Sequence, residues 1–123
     1  MTDKYFGLTH EQWHEASKEM RKILIARAKR NATVYYSELS DKLLPIANIE
    51  PHSYAMANML GEISVDEHNA GRPLLSAAAI LKADNIPGGG FYTLAESLGF
   101  TVSDKVEFWI QEFNRCHDYW SKA

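Results

Sequence analysis

Residues 74 to 81, Leu-Leu-Ser-Ala-Ala-Ala-Ile-Leu, hold no charge and lie between Gly71-Arg72-Pro73 and the turn Ile86-Pro87-Gly88-Gly89-Gly90. A run this apolar has to be covered by the rest of the chain, so any fold must be wrapped around it. Two conformations compete for it. Its alanines and leucines favour a helix, and Pro73 suits a first helical position. Its short length, closed by a glycine turn, also fits a buried strand. Past the turn, Thr93 and Glu96 form a capping box for a short helix that ends at Gly99.

The remaining elements are mostly helical. Thr9 and Gln12 make a capping box, followed at helical spacing by Trp13, Ala16, Met20, Ile23 and Leu24. Asn31 ends that helix. Its outer face carries His14, Lys18, Arg21, Lys22 and Lys29. Arg27 falls within the apolar stripe, so either its head snorkels to solvent or it meets a carboxylate, with Glu62 and Asp66 as candidates. Thr33-Val34-Tyr35-Tyr36 is β-rich. Ser37 caps a short helix from Glu38 to Leu44, which Pro45 stops. Ser53 caps a third helix with Ala55, Met56, Met59, Leu60 and Ile63 inward. A last helix spans roughly Asp104 to Ser121, with Val106, Trp109, Ile110, Phe113, Cys116 and Trp120 on its buried side. Phe108 and Tyr119 lie off that stripe and either cover a loop or mark a contact surface.

Composition narrows the class. With 46% hydrophobic and 24% charged residues, the 123-residue chain reads as a single globular domain, 1–123. No apolar run approaches the ~20 residues that span a bilayer, so no membrane role is expected. Met1-Thr2-Asp3-Lys4 does not begin a signal segment. The one cysteine, Cys116, leaves no internal disulfide, which fits a cytoplasmic setting. A net charge of −3 argues against broad nucleic-acid binding.

The order helix, short strand, Tyr36-Ser37-Glu38-Leu39 helix, helix, strand, glycine turn resembles a winged helix. Thr33-Val34-Tyr35-Tyr36-Ser37-Glu38-Leu39 is similar to the first strand and following helix of many winged helices. The segments Gly71-Arg72-Pro73-Leu74-Leu75-Ser76, Pro87-Gly88-Gly89-Gly90-Phe91 and Leu94-Ala95-Glu96-Ser97-Leu98-Gly99 resemble a pattern of small uncharacterised bacterial proteins. Such relatives tend to place valines where this chain has Ala78 and Ala79. The resemblance implies a strand for Leu74 to Leu81 and carries no activity. A looser likeness, to the DNA-binding half of alkylguanine-DNA alkyltransferases, lacks the reactive cysteine. That family's Pro-Cys-His-Arg run is matched here by Arg72-Pro73-Leu74-Leu75-Ser76, so alkyl transfer is unsupported. The expected class is therefore α+β, helix-rich, with a small winged-helix-like sheet.

A winged helix reads DNA through one helix, here the one opening at Ser53, whose outer face shows Tyr54, Ala57, Asn58 and Gly61. No Lys or Arg stands between Lys42 and Arg72, whereas Glu50, Glu62, Asp66 and Glu67 do. That interval repels a polyanion. Lys18, Arg21, Lys22 and Lys29 on the first helix are the alternative nucleic-acid surface.

Catalytic readings are weaker. Gly88-Gly89-Gly90 before a helix can cradle phosphate, but the spacing fits neither the P-loop nor the dinucleotide fingerprint. A hairpin or wing tip is the preferred reading. Glu62, Asp66, Glu67 and His68 match no metal signature, and no metal or cofactor is expected. His68, Arg72 and Ser76 lack a nucleophile elbow. His117 reads as a packed histidine with one hydrogen bond. The expectation is a non-catalytic binding module with a protein partner in preference to nucleic acid. Its candidate contacts are Arg72, Gly88, Gly89, Gly90, Tyr92, Phe108 and Tyr119. Two alternatives are DNA binding through the first helix and an enzyme built on Glu62, His68 and Arg72.

Overall fold

The computed structural model describes residues 4–123; the reading of Met1, Thr2 and Asp3 lies outside them. Among the described residues, five α-helices accompany two small pairings of two-residue strands. The class is α+β and helix-rich. Strands β1 (Lys4–Tyr5) and β2 (Leu8–Thr9) pair antiparallel, Lys4 opposite Thr9. Helix α1 (His10–Lys29) follows, with the expected capping box: Thr9 Oγ1 accepts from Gln12 N, and Thr9 N donates to Gln12 Oε1. Strand β3 (Val34–Tyr35) leads into α2 (Tyr36–Leu43), and Ser53 caps α3 (Tyr54–Asn69) as expected. Helix α2 starts at Tyr36, with no side-chain cap from Ser37.

Leu74 to Leu81 is where the structure departs most from the expected strand. A 3-10 turn occupies Leu75–Ala78, and only Ala79–Ile80 is extended, as β4. β4 pairs parallel with β3, Val34 opposite Ala79. The run is buried from Pro73 to Ile80, enclosed by α1, α3 and α5 (Lys105–Lys122). A strand needs ladder partners, and β3 is only two residues long. Backbone groups inside a core must still be paired, and here side chains do it. Leu74 N donates to Glu112 Oε2 at 2.8 Å, and Ser76 N to Ser64 Oγ at 3.0 Å. Ala77 O accepts from Trp109 Nε1 at 2.8 Å, and Leu74 O from the Cys116 thiol at 3.2 Å.

The glycine turn is also different. Helix α4 (Gly89–Ser97) begins at the glycines, with Gly88 as its N-cap. The capping box at Thr93 and the hairpin tip are both absent, because Thr93 lies within the helix and its Oγ1 donates to Gly89 O. Gly88 holds its place by close approach: its N–H donates to Tyr36 Oη at 3.0 Å, and a Cβ there would sit 3.3 Å from that oxygen. Gly71, at φ +80°, closes α3 in a Schellman turn, with Arg72 N donating to Glu67 O.

Helix α5 is rotated relative to its apolar pattern. Glu112 and Cys116 are its buried residues, while Val106 and Ile110 are 48% and 47% exposed. Turning Glu112 inward to reach Leu74 N carries Ile110 about 160° away, at 100° per residue. Phe108 packs against Phe91 of α4 and against Phe100. Arg27 does form an ion pair, with Glu38 rather than Glu62 or Asp66, and donates to Thr33 O at 2.7 Å. That contact holds the Glu38 carboxyl below its ordinary pKa. No helix among the described residues is long and apolar enough to cross a membrane.

Candidate functional site

A trough of about 890 Å³ lies between α3 and α4. Its α3 wall rises from Ser53 through Ala57 and Gly61 to Val65, four positions one helical turn apart. Met56 and Leu60 deepen that wall, and Gly90, Leu94 and Ser97 form the opposite one. Tyr36, Ser76 and Leu81 also line it, and Pro51, His52 and Ser53 do so at the start of α3. Burial raises the Tyr36 phenol above its usual pKa, although the Gly88 N–H opposes the shift. Glu62 and Asp66 are the carboxylates of the trough, both on exposed α3 positions, and no Lys or Arg lines it. Glu62 Oε1 accepts from Trp13 Nε1 at 3.0 Å, so it is fixed in place.

Gly61 has no internal reason to be glycine. It sits mid-helix with ordinary backbone, and a Cβ would meet nothing within 4 Å. Gly90, on the other wall, is equally open. Neither position was singled out by spacing as a groove wall, although a glycine inside an Ala/Met/Leu-rich helix was the available signal.

The sequence-derived candidates fall in separate places, except that Arg72 and Tyr119 are neighbours, Tyr119 helping to hold the Arg72 guanidinium above its ordinary pKa. Gly88 and Gly90 border the trough, while Gly89 is exposed in the first turn of α4. Tyr92 is buried, its hydroxyl without a hydrogen-bond partner and its ring under Lys105. Burial, reinforced by Tyr36, raises its pKa. Arg72 binds the carboxylate of Glu67, which is 1% exposed and also takes Arg21 Nε at 2.6 Å. Glu67 accordingly holds the Arg72 guanidinium above its ordinary pKa. Tyr119, 41% exposed, stands edge-on to Trp120, over which Arg21 lies.

Glu62, His68 and Arg72 do not converge. Glu62 holds Trp13, His68 packs on Phe100, and Arg72 holds Glu67. Their proposed neighbour Ser76 is taken up by Ser64, the two hydroxyls 2.7 Å apart. Glu67 points into the core, away from any surface cluster with Glu62 and Asp66, and no metal-binding group of three or more His, Cys, Asp or Glu occurs among the described residues. His117 donates from Nδ1 to Ala28 O at 2.9 Å, the single hydrogen bond expected of it.

The basic face of α1 is largely answered by acids of α1 and α3. Lys18 pairs with Glu15, Lys22 with Glu19, and Arg21 with Glu67, leaving Lys29 exposed at the helix end. Glu67, expected in a solvated acidic turn, and Glu112 are both buried carboxylates. Glu67 continues the Met56, Leu60, Ile63 stripe at helical spacing, and that was its only trace.

No protein-family model, no curated protein and no solved structure matches this chain.

Proposed function

We propose that the protein is a non-catalytic, cytoplasmic binding module that takes a segment of a partner protein into the trough between α3 and α4. The observation that carries this reading is the trough itself, lined by Met56, Leu60, Val65, Phe91 and Leu94 among polar groups, with no Lys or Arg. Pockets of a few hundred to about 1,000 Å³ with a few polar groups are the usual ligand sites of small domains. The winged-helix-like character belongs to the same proposal, supported by the order α1, β3, α2, α3, β4. In that arrangement α3 is the reading helix, and it presents Asn58, Glu62 and Asp66 rather than Lys or Arg. Its Asn58 amide already donates to Tyr54 O at 2.9 Å. A protein surface suits this face better than phosphate does.

The test compares affinity enrichment by the full chain with enrichment by Gly61→Leu, whose Cβ enters open space and whose longer side chain projects into the trough. A partner retained by wild type and by a Lys18→Glu, Lys22→Glu double variant, but lost by Gly61→Leu, supports the reading. Partners indifferent to Gly61→Leu refute it. So does a salt-sensitive shift of mixed duplex DNA that the double charge reversal abolishes.

A further inference from the structure

We infer that the occupant of the trough is a basic amphipathic helix of a partner protein. The inference rests on the proposed role of the trough and adds the chemistry of what fills it.

Shape comes first. The α3 wall runs from Ser53 to Asp66, about 20 Å at 1.5 Å per residue. That length accommodates between three and four turns of a helix. Both walls are helices, whose backbone groups are paired along their length and open only at the first-turn N–H groups next to Ser53 and Gly88. The trough therefore offers no strand edge, and an extended peptide would gain no ladder hydrogen bonds there. A helix needs none, because its own backbone is already paired. The lining at Ala57 and Gly61 is shallow enough for two helix axes to approach at the close end of the usual 8–10 Å range.

Charge fixes the composition. Glu62 and Asp66 flank the trough on the C-terminal half of α3, where the helix dipole adds to their negative potential. Asp66 makes no side-chain hydrogen bond or ion pair among the described residues. The other end, at Pro51, His52 and Ser53, contributes no carboxylate to the lining. A matching occupant has an apolar stripe and carries Lys or Arg where it passes Glu62 and Asp66. A second copy of this chain is a poor candidate, since it carries a net charge of −3.

The experiment uses two labelled 16-residue synthetic helices with leucines at i, i+3, i+4, i+7 and i+11. One has Lys at the flanking positions and the other Glu. Fluorescence anisotropy is read with the full wild-type chain, Gly61→Leu and Asp66→Lys. The expected result is binding of the Lys peptide, with the Glu peptide at least about tenfold weaker. Gly61→Leu removes that binding, and Asp66→Lys weakens the Lys peptide about fivefold or more. Equal affinity for the two peptides, with Gly61→Leu still blocking, overturns the charge inference and leaves the trough reading standing. Binding unaffected by Gly61→Leu overturns both. No binding of either peptide at about 100 μM overturns the helix inference alone, because partner enrichment by the Gly61→Leu comparison tests the trough separately.

Discussion

Replacing Glu112 with alanine tests how the core is held together. The carboxylate is 2% exposed and accepts the Leu74 N–H at 2.8 Å, in a segment with no solvent access. Its other oxygen takes Arg115 Nη1 at 2.5 Å, but Arg115 is 52% exposed and that pair is screened. Alanine leaves the Leu74 N–H orphaned in the core, which costs ~1–3 kcal/mol. It also removes a packed methylene, worth ~0.8 kcal/mol. Release of a buried charge offsets part of this, so the net loss is about 2.5 kcal/mol. For a chain of 123 residues, with unfolding entropy near 2 cal/mol/K per residue, that lowers Tm by about 10 °C. Glu112→Gln keeps an acceptor for Leu74 and falls by about 3 °C or less. Calorimetry or circular dichroism melts of the three proteins read the difference. If alanine melts within about 3 °C of wild type, the Leu74 contact is not an anchor. If glutamine falls as far as alanine, charge rather than hydrogen-bond acceptance is what the core requires.

Three further outcomes follow from the same structure. Cys116 is fully buried, and burial raises its thiol pKa, so the native protein should resist a thiol reagent at pH 8 and react only on unfolding. Rapid labelling of folded protein would contradict the packing of α5. Arg27 depresses the Glu38 pKa, so their pair stabilises above the unfolded glutamate value, about 4.3, and that contribution is lost as pH falls through the lower folded value. Carboxyl NMR titration should show the Glu38 midpoint rise in Arg27→Met, and an unchanged midpoint would remove Arg27 as its cause. Gly61→Leu should raise Tm by about 2–4 °C, since leucine is the better helix former by up to ~1 kcal/mol and has open space to enter. A lower Tm would mean the trough is tighter than its walls indicate.

Helix positions were readable where the chain wrote them with local chemistry. The Thr9 capping box, the Ser53 cap and the inward face from Ala55 to Ile63 each depend on neighbours within a turn or two. The strand expected over Leu74 to Leu81 failed for a nonlocal reason. Its backbone is satisfied by Ser64, Trp109, Glu112 and Cys116, from 12 to 42 positions away. Propensity within the run contains no record of those partners. Arg27 shows an intermediate case: its position inside an apolar stripe left snorkelling and an ion pair both open, and Glu38 became the partner only once α2 packed on α1. The candidate site was half legible. The outward face of Tyr54, Ala57, Asn58 and Gly61 and the absence of cations were visible in sequence, whereas the opposing wall depended on α4 starting at the glycines.

The bonds that hold Leu74 to Ala77 carry a consequence for synthesis on the ribosome. Three of the four groups that bind this segment's backbone sit on α5, which is translated some thirty to forty residues later. Until that helix has emerged from the exit tunnel, the most apolar stretch of the nascent chain lacks the partners of Leu74 N, Leu74 O and Ala77 O. The core therefore closes late, and chaperone occupancy of the growing chain should persist until α5 is exposed.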